Sequence, residues 1–113
     1  MSPIGALTLS IVFAIHLIGG FSWFTHGRHT PTFYAYQLDR APNDASMWMV
    51  PYMDWFLCLL MASPGTRMLG ASLSALMQFY GIVKRVREDK EAALDLALAC
   101  CAVVASLDCL FES

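Results

Sequence analysis

Four long apolar runs, separated by polar connections, organise this chain. The first covers residues 4–24, where His16 is the one ionisable side chain; no Asp, Glu, Lys or Arg precedes Arg28. As an α-helix it extends about 30 Å, the thickness of the hydrocarbon layer of a bilayer. A cleaved signal peptide fits poorly: Met-Ser-Pro lacks basic residues, and the run exceeds the usual apolar region of about 7–15 residues. The next segment, 28–44, is polar and aromatic. Pro31, Pro42 and Asn43 argue against one long helix there, although TFYAYQL can form a short interfacial turn with Phe33, Tyr34 and Tyr36 at headgroup level. Asp44 or Ser46 can cap a second helix over 47–62, with Pro51 in its first turns, where a missing N–H does least harm. Ser63-Pro64-Gly65-Thr66 reads as a tight turn, 68–83 as an uncharged third helix, and 84–91 as a solvated connection of mixed sign. The fourth run, 92–111, contains Asp95 and Asp108.

Composition sharpens that pattern. The 113 residues suffice for one domain, and 58% of them are hydrophobic, against roughly 45–50% in ordinary soluble domains. Charged residues supply 14% where about 25% is usual, and mean hydropathy is +0.54. A small soluble protein is mostly surface and needs more polar residues than this. The figures exclude a disordered chain, and seven basic against nine acidic residues leave no electrostatic footprint for nucleic acid. The expected fold is all-α: an antiparallel bundle of four transmembrane helices in a single integral membrane domain, 1–113, with a longer first loop. A soluble four-helix bundle is the competing architecture. The second and third helices are short for a full span and require a thin bilayer or helical extension into the loops. Arg28, Arg40, Lys84, Arg85, Arg87 and Lys90 fall in the first and third connections and Arg67 alone on the other side. That bias puts both connections in the cytosol and both termini outside it.

The cysteines, Cys58, Cys100, Cys101 and Cys109, all lie within predicted spans without C-x-x-C or zinc-type spacing. They read as small packing residues. His26 and His29 have metal-like spacing, but a loop does not fix their geometry, and carboxylates would have to come from Asp39 or Asp44. Interfacial histidines are the preferred reading, with no metal and no cofactor.

The informative residues are those a bilayer penalises. An Asp at a helix centre costs about 2.5–3.5 kcal/mol on insertion scales, so it faces a protein interior or a wet cavity. In the predicted orientation His16 and Asp54 each lie about 12 Å from the cytosolic helix ends, Gln78 about 8 Å and Asp95 about 5 Å. Four helices thus contribute polar groups to one band. Asp108 lies about 20 Å beyond Asp95 and about 140° around the helix, where it can stay hydrated near the opposite interface. Gly70, Ser74, Gln78 and Gly81 form a small and polar stripe on the third helix, and Asp95, Ala99, Ala102, Ser106 and Cys109 a similar one on the fourth.

Two roles are open to this band. Its members can act solely as hydrogen-bonding ties. Alternatively, Asp54 is an acid, with His16 and Asp95 as catalytic partners and Gln78 orienting a carbonyl or hydroxyl. Trp48, Tyr52, Trp55 and Tyr80 then line an apolar site for a lipophilic small molecule entering from the bilayer. The chemistry would be cofactor-independent isomerisation, cyclisation or epoxide opening.

The run DWFLCLLMASPGTRMLGASLSALMQ, from Asp54 to Gln78, resembles the middle of the DoxX-like family of small four-helix membrane proteins. Asp54, Pro64, Arg67 and Gly70 match that family's acidic residue on helix two, Pro-containing turn, Arg and Gly-rich third helix. The chain departs from it in having Asp in place of the more usual Glu, and a long first loop. The resemblance implies the four-helix architecture and a role for Asp54, within a functionally mixed family. A non-catalytic alternative is an accessory subunit of a larger membrane complex or a homo-oligomer, packed through small-residue faces such as Gly5, Ser10 and Gly19-Gly20. Ion or proton conduction has less support, because the polar band stops halfway across.

Overall fold

The computed structural model describes residues 2–40 and 48–112, and the chain is helical throughout its regular structure. The helices are α1 (Pro3–Phe24), α2 (Pro31–Arg40), α3 (Val50–Ala62), α4 (Arg67–Arg87) and α5 (Ala93–Glu112). α1, α3, α4 and α5 pack in a closed antiparallel ring, and α2 folds back on the outside of α1. Sequence-level expectations hold for the all-α class and need three corrections in detail. Residues 31–40 make a ten-residue helix rather than a short turn, because Pro31 at its first position has no N–H to leave unpaired. The helix expected from residue 47 begins at Val50, and its candidate caps Asp44 and Ser46 lie outside the described residues. α4 runs on to Arg87, taking in the first half of the expected connection. Its last turn carries Lys84, Arg85 and Arg87, the charges that a helix C-terminus favours.

Large apolar side chains lie mainly on the outside of this ring. Leu59 is 71% exposed and Leu76 66%, whereas Ala71, Ala99, Ala102 and Ala105 are fully buried. Val12, Leu57 and Met61 fill what apolar core there is, beside Ala75 and Ala102. Small residues let backbones approach closely. A Cβ on Gly70 would lie 2.9 Å from side-chain carbons of Leu60 and Met61, and one on Gly20 would lie 2.1 Å from the Trp55 indole nitrogen. That indole N–H donates to the Leu17 carbonyl at 3.1 Å, fastening α3 to α1.

Polar side chains close the helix ends. Thr66 Oγ1 donates to the Leu60 carbonyl at 2.7 Å, and Arg67 Nε donates to that of Met61 at 3.0 Å. The turn at 63–66 thereby satisfies carbonyls that the end of α3 leaves open. Asp108, expected at a hydrated interface, is instead half-buried against the start of α1. It accepts from the Ser2 hydroxyl and from the Ser2 backbone N–H at 3.2 Å. A carboxylate at a helix N-terminus is electrostatically favourable, and the contact joins the first helix to the last.

At the opposite end, Arg85 Nε lies 3.5 Å from Asp95 Oδ2 and donates to the Glu91 carbonyl at 2.6 Å. Both side chains are buried. Removing one partner of a buried pair costs about 3–5 kcal/mol, and replacing both by apolar groups is close to neutral. Arg85→Met should therefore lower the unfolding free energy by about 3–5 kcal/mol, with most of the loss recovered in Arg85→Met/Asp95→Leu. Reversible unfolding in detergent measures both; an unaffected single variant contradicts a structural ion pair.

Candidate functional site

Three helices bring a hydrogen-bonded chain into the interior of the ring. His16 on α1 lies with Nδ1 2.7 Å from Asp54 Oδ1 on α3, and with Nε2 2.7 Å from Ser74 Oγ on α4. His16, Asp54 and Ser74 are all buried. The helices permit this because α1 and α3 run antiparallel, with Cys58 Sγ near the Phe13 carbonyl at 3.5 Å and Trp55 at Leu17 on either side of the pair. Gly19, one turn beyond His16, leaves room for the carboxylate: a Cβ there would sit 3.0 Å from Asp54 Oδ2 and 2.9 Å from Gln37 Nε2.

Donor bookkeeping fixes the direction of the chain. Hydroxyls on these helices ordinarily back-bond to the carbonyl four residues earlier, as Thr8, Ser10, Thr25 and Ser106 do. The Ser74 hydroxyl has no such contact among the described residues and meets His16 instead. With its proton donated to Nε2, and Nδ1–H donated to Asp54 Oδ1, every donor in the chain is paired. The reverse arrangement leaves the Ser74 proton with no acceptor. Asp54 Oδ2 then remains, without a hydrogen bond from any described residue, beside Gly19 and Gln37.

Of the residues expected at the site, Asp54 and His16 meet directly. Asp95 is held by Arg85 at the end of the ring, so it joins the α4–α5 closure rather than the His16 chain. Its depth places it near the same end, but Arg85 is its counter-ion. Gln78 is half-buried one turn beyond Ser74. Trp48, Tyr52, Trp55 and Tyr80 lie on the outer surface, with Tyr80 76% exposed, and do not converge on Asp54 as a lining. Tyr52 instead contacts Phe24 and Trp48 edge-on, at 5.2 and 6.2 Å between ring centroids. Ser74 was visible in the sequence only as a member of the α4 stripe; its position one turn before Gln78 was the available signal. Gln37 gave no signal, because its role depends on α2 folding back.

The arrangement suits proton handling. Nucleophilic attack by Ser74 is disfavoured, since its hydroxyl is fully buried within a helix whose neighbouring N–H groups are committed to backbone bonds. No group of three or more metal-type side chains exists among the described residues. His26 and His29 are exposed, the latter stacked on Phe21 at 6.0 Å. The Asp39 side chain and Asp44, considered with them as ligands, lie outside what is described. None of the four cysteines is in a disulfide; Cys58 is buried and Cys100 exposed.

Nitrogen-15 NMR of the His16 ring should show the proton on Nδ1 and a lone pair on Nε2. Ser74→Ala should move the Nε2 resonance and cost about 1–3 kcal/mol of stability, by leaving a buried acceptor unpaired. A proton found on Nε2 in the unaltered protein contradicts the assigned direction. Compared with known proteins, the chain matches no family model, no curated protein and no solved structure.

Proposed function

We propose that this protein is a multi-pass membrane protein that binds a lipophilic small molecule beside Asp54 and transforms it by acid–base chemistry. Support for the membrane comes from the distribution of side chains. α1 and the segment Ala93–Phe111 are long and apolar enough to cross a bilayer, and large aliphatic residues face outward while alanines are buried. α3 has 13 residues, about 20 Å of helix, and spans the bilayer only where the layer thins around it. α4 crosses through its uncharged part, 68–83, with Arg67 and the Lys84–Arg85–Arg87 cluster at its ends. Phe24, Trp48, Tyr52 and Tyr80 are exposed toward the end where Lys84 and Arg28 lie, as an aromatic belt is at an interface. The basic excess at that end supports a cytosolic placement for it, with both termini on the other side.

The observation that carries the chemistry is the unequal treatment of the Asp54 oxygens. Oδ1 is held by His16, and Oδ2 has no hydrogen bond from a described residue. In the proposed scheme Oδ2 carries the proton and gives it to an alkene, epoxide or carbonyl of the substrate. His16 Nδ1–H stabilises the carboxylate thus formed, and Ser74 keeps the ring oriented. The substrate cation loses a proton back to the same carboxylate, so an isomerisation or cyclisation closes its proton balance without a cofactor. The reading as an accessory subunit gives no role to the unused oxygen.

The test compares lipophilic extracts of cells carrying the protein with those carrying Asp54→Asn at equal abundance. The Asn oxygen can still accept from Nδ1–H, so the fold should persist. A species that changes retention at unchanged mass, and depends on Asp54, is expected; identical extracts overturn the catalytic reading. For topology, single cysteines placed at 65 and 89 in a cysteine-free background should differ in labelling by an impermeant maleimide on intact cells. Position 65 should label and position 89 should not.

A further inference from the structure

A second polar cluster lies where α2 folds back over the last turns of α1. Ser22 Oγ, Trp23 Nε1, Thr30 Oγ1 and Gln37 Oε1 are buried there without any hydrogen-bond partner among the described residues. Ser22 is fully buried and Trp23 is 8% exposed. Ser22 and Trp23 are adjacent near the end of α1, and Thr30 immediately precedes α2, which carries Gln37. The Trp23 ring meets Tyr34 edge-on at 5.4 Å, and Gln37, one turn further along α2, reaches Gly19 one turn before Trp23. Gly27 makes the fold-back possible with φ of +75°, its N–H donating to the Ser22 carbonyl at 3.0 Å. A Cβ at that position would lie 2.7 Å from the Tyr34 Cβ.

Buried polar groups without partners cost about 1–3 kcal/mol each, and native proteins carry few of them. Four in one fold-back are an unfilled set of hydrogen bonds. Their chemistry defines what completes them. Trp23 N–H only donates and so requires an acceptor; Gln37 Oε1 only accepts and so requires a donor; the two hydroxyls take either role. None of the four is charged, so an ionic group seated among them would be buried without compensation. Gln37 also links the cluster to the chemistry, because its amide and Asp54 Oδ2 approach the same glycine.

We infer that Ser22, Trp23, Thr30 and Gln37 form a cradle for the uncharged, hydroxyl-bearing head of the lipophilic ligand, holding it against Asp54 Oδ2. This inference rests on the proposed binding function and narrows its substrate class. The ligand is a neutral amphiphile offering at least one donor and one acceptor at its head. Hydrocarbons do not satisfy the cradle, and anionic lipids are rejected by it.

The test uses the whole protein in nanodiscs, titrated with 1-monooleoylglycerol, methyl oleate, hexadecane or oleoyl lysophosphatidic acid while its thermal unfolding midpoint is followed. A saturable rise is expected with monooleoylglycerol alone. Ser22→Ala and Gln37→Leu should weaken that response at least tenfold. Ser22→Ala and Thr30→Val remove unpaired groups and therefore should not lower the stability of the unliganded protein. Equal responses to hexadecane, or an undiminished response in both cradle variants, overturn the inference. So does the absence of any saturable response, which leaves the cradle occupied by water alone. Asp54→Asn separates the two claims: lost conversion with monooleoylglycerol binding intact supports the chemistry and the cradle independently. Conversion that survives Asp54→Asn, with binding that still depends on Gln37, overturns the chemistry and leaves the cradle standing.

Discussion

Close approach of helix backbones is the constraint on which the rest of this molecule depends. Ala71, Ala99, Ala102 and Ala105 are fully buried, and Gly20 and Gly70 leave no room for even a methyl group without displacing Trp55 or Met61. Short side chains at the seams bring the helix axes near enough for side chains from different helices to bond across them. His16 reaches Asp54 and Ser74 at the same 2.7 Å on both sides because its three helices are that close. In the proposed bilayer, lipid tails are as apolar as leucine, so packing and polar contacts rather than water exclusion hold the helices together.

The two buried carboxylates of the ring have different partners, and in the proposed scheme that difference separates scaffolding from chemistry. Asp95 faces a guanidinium that is itself anchored to the Glu91 carbonyl, a closed arrangement in which both charges are satisfied within the α4–α5 junction. Asp54 faces the His16 imidazole, which bonds Ser74 at its other nitrogen. Among the described residues, one of its oxygens is committed. The serine on the far side of the ring supplies orientation, since an imidazole bonded at both nitrogens cannot flip. In the proposed scheme this chain of serine, histidine and aspartate handles a proton, despite the order it shares with hydrolases. Function is argued from the site, and the N–H groups next to Ser74 are committed to the backbone bonds of α4.

Much of the architecture was legible in the residues, and the reasons are physical. Uncharged runs and the punctuation Ser63-Pro64-Gly65-Thr66 mark the long helices, because charge and proline are costly inside them. In the α5 stripe, Asp95, Ala99 and Ala102 are buried and Ser106 and Cys109 half-buried. Likewise, the pairing of His16 with Asp54 followed from their matching depth on antiparallel helices. Depth alone misassigned Asp95, since Arg85 reaches it from a helix that extends further than its uncharged part suggested. Aromatic residues near the band were expected to line it, but a one-dimensional pattern does not tell which face of a uniformly apolar helix points inward. Trp48 and Tyr80 show that difficulty: both are exposed. Ser2 with Asp108, at opposite ends of the chain, and Gln37 on a folded-back helix depend on tertiary geometry that no local spacing encodes.

The tryptophan beside the central carboxylate has a mechanical meaning. Trp55 is pressed onto Gly20 and tethered to the Leu17 carbonyl, so it serves as a rotational stop for a helix of only 13 residues. Neighbouring positions on a helix differ by about 100° in azimuth; with one azimuth pinned, the next is pinned too. Asp54 is thereby kept from swinging toward the periphery, even if the hydrogen bond to its oxygen is momentarily broken. In the proposed scheme the stop keeps the acid aimed inward while it still holds its proton, when its bond to the imidazole is weaker than that of the carboxylate.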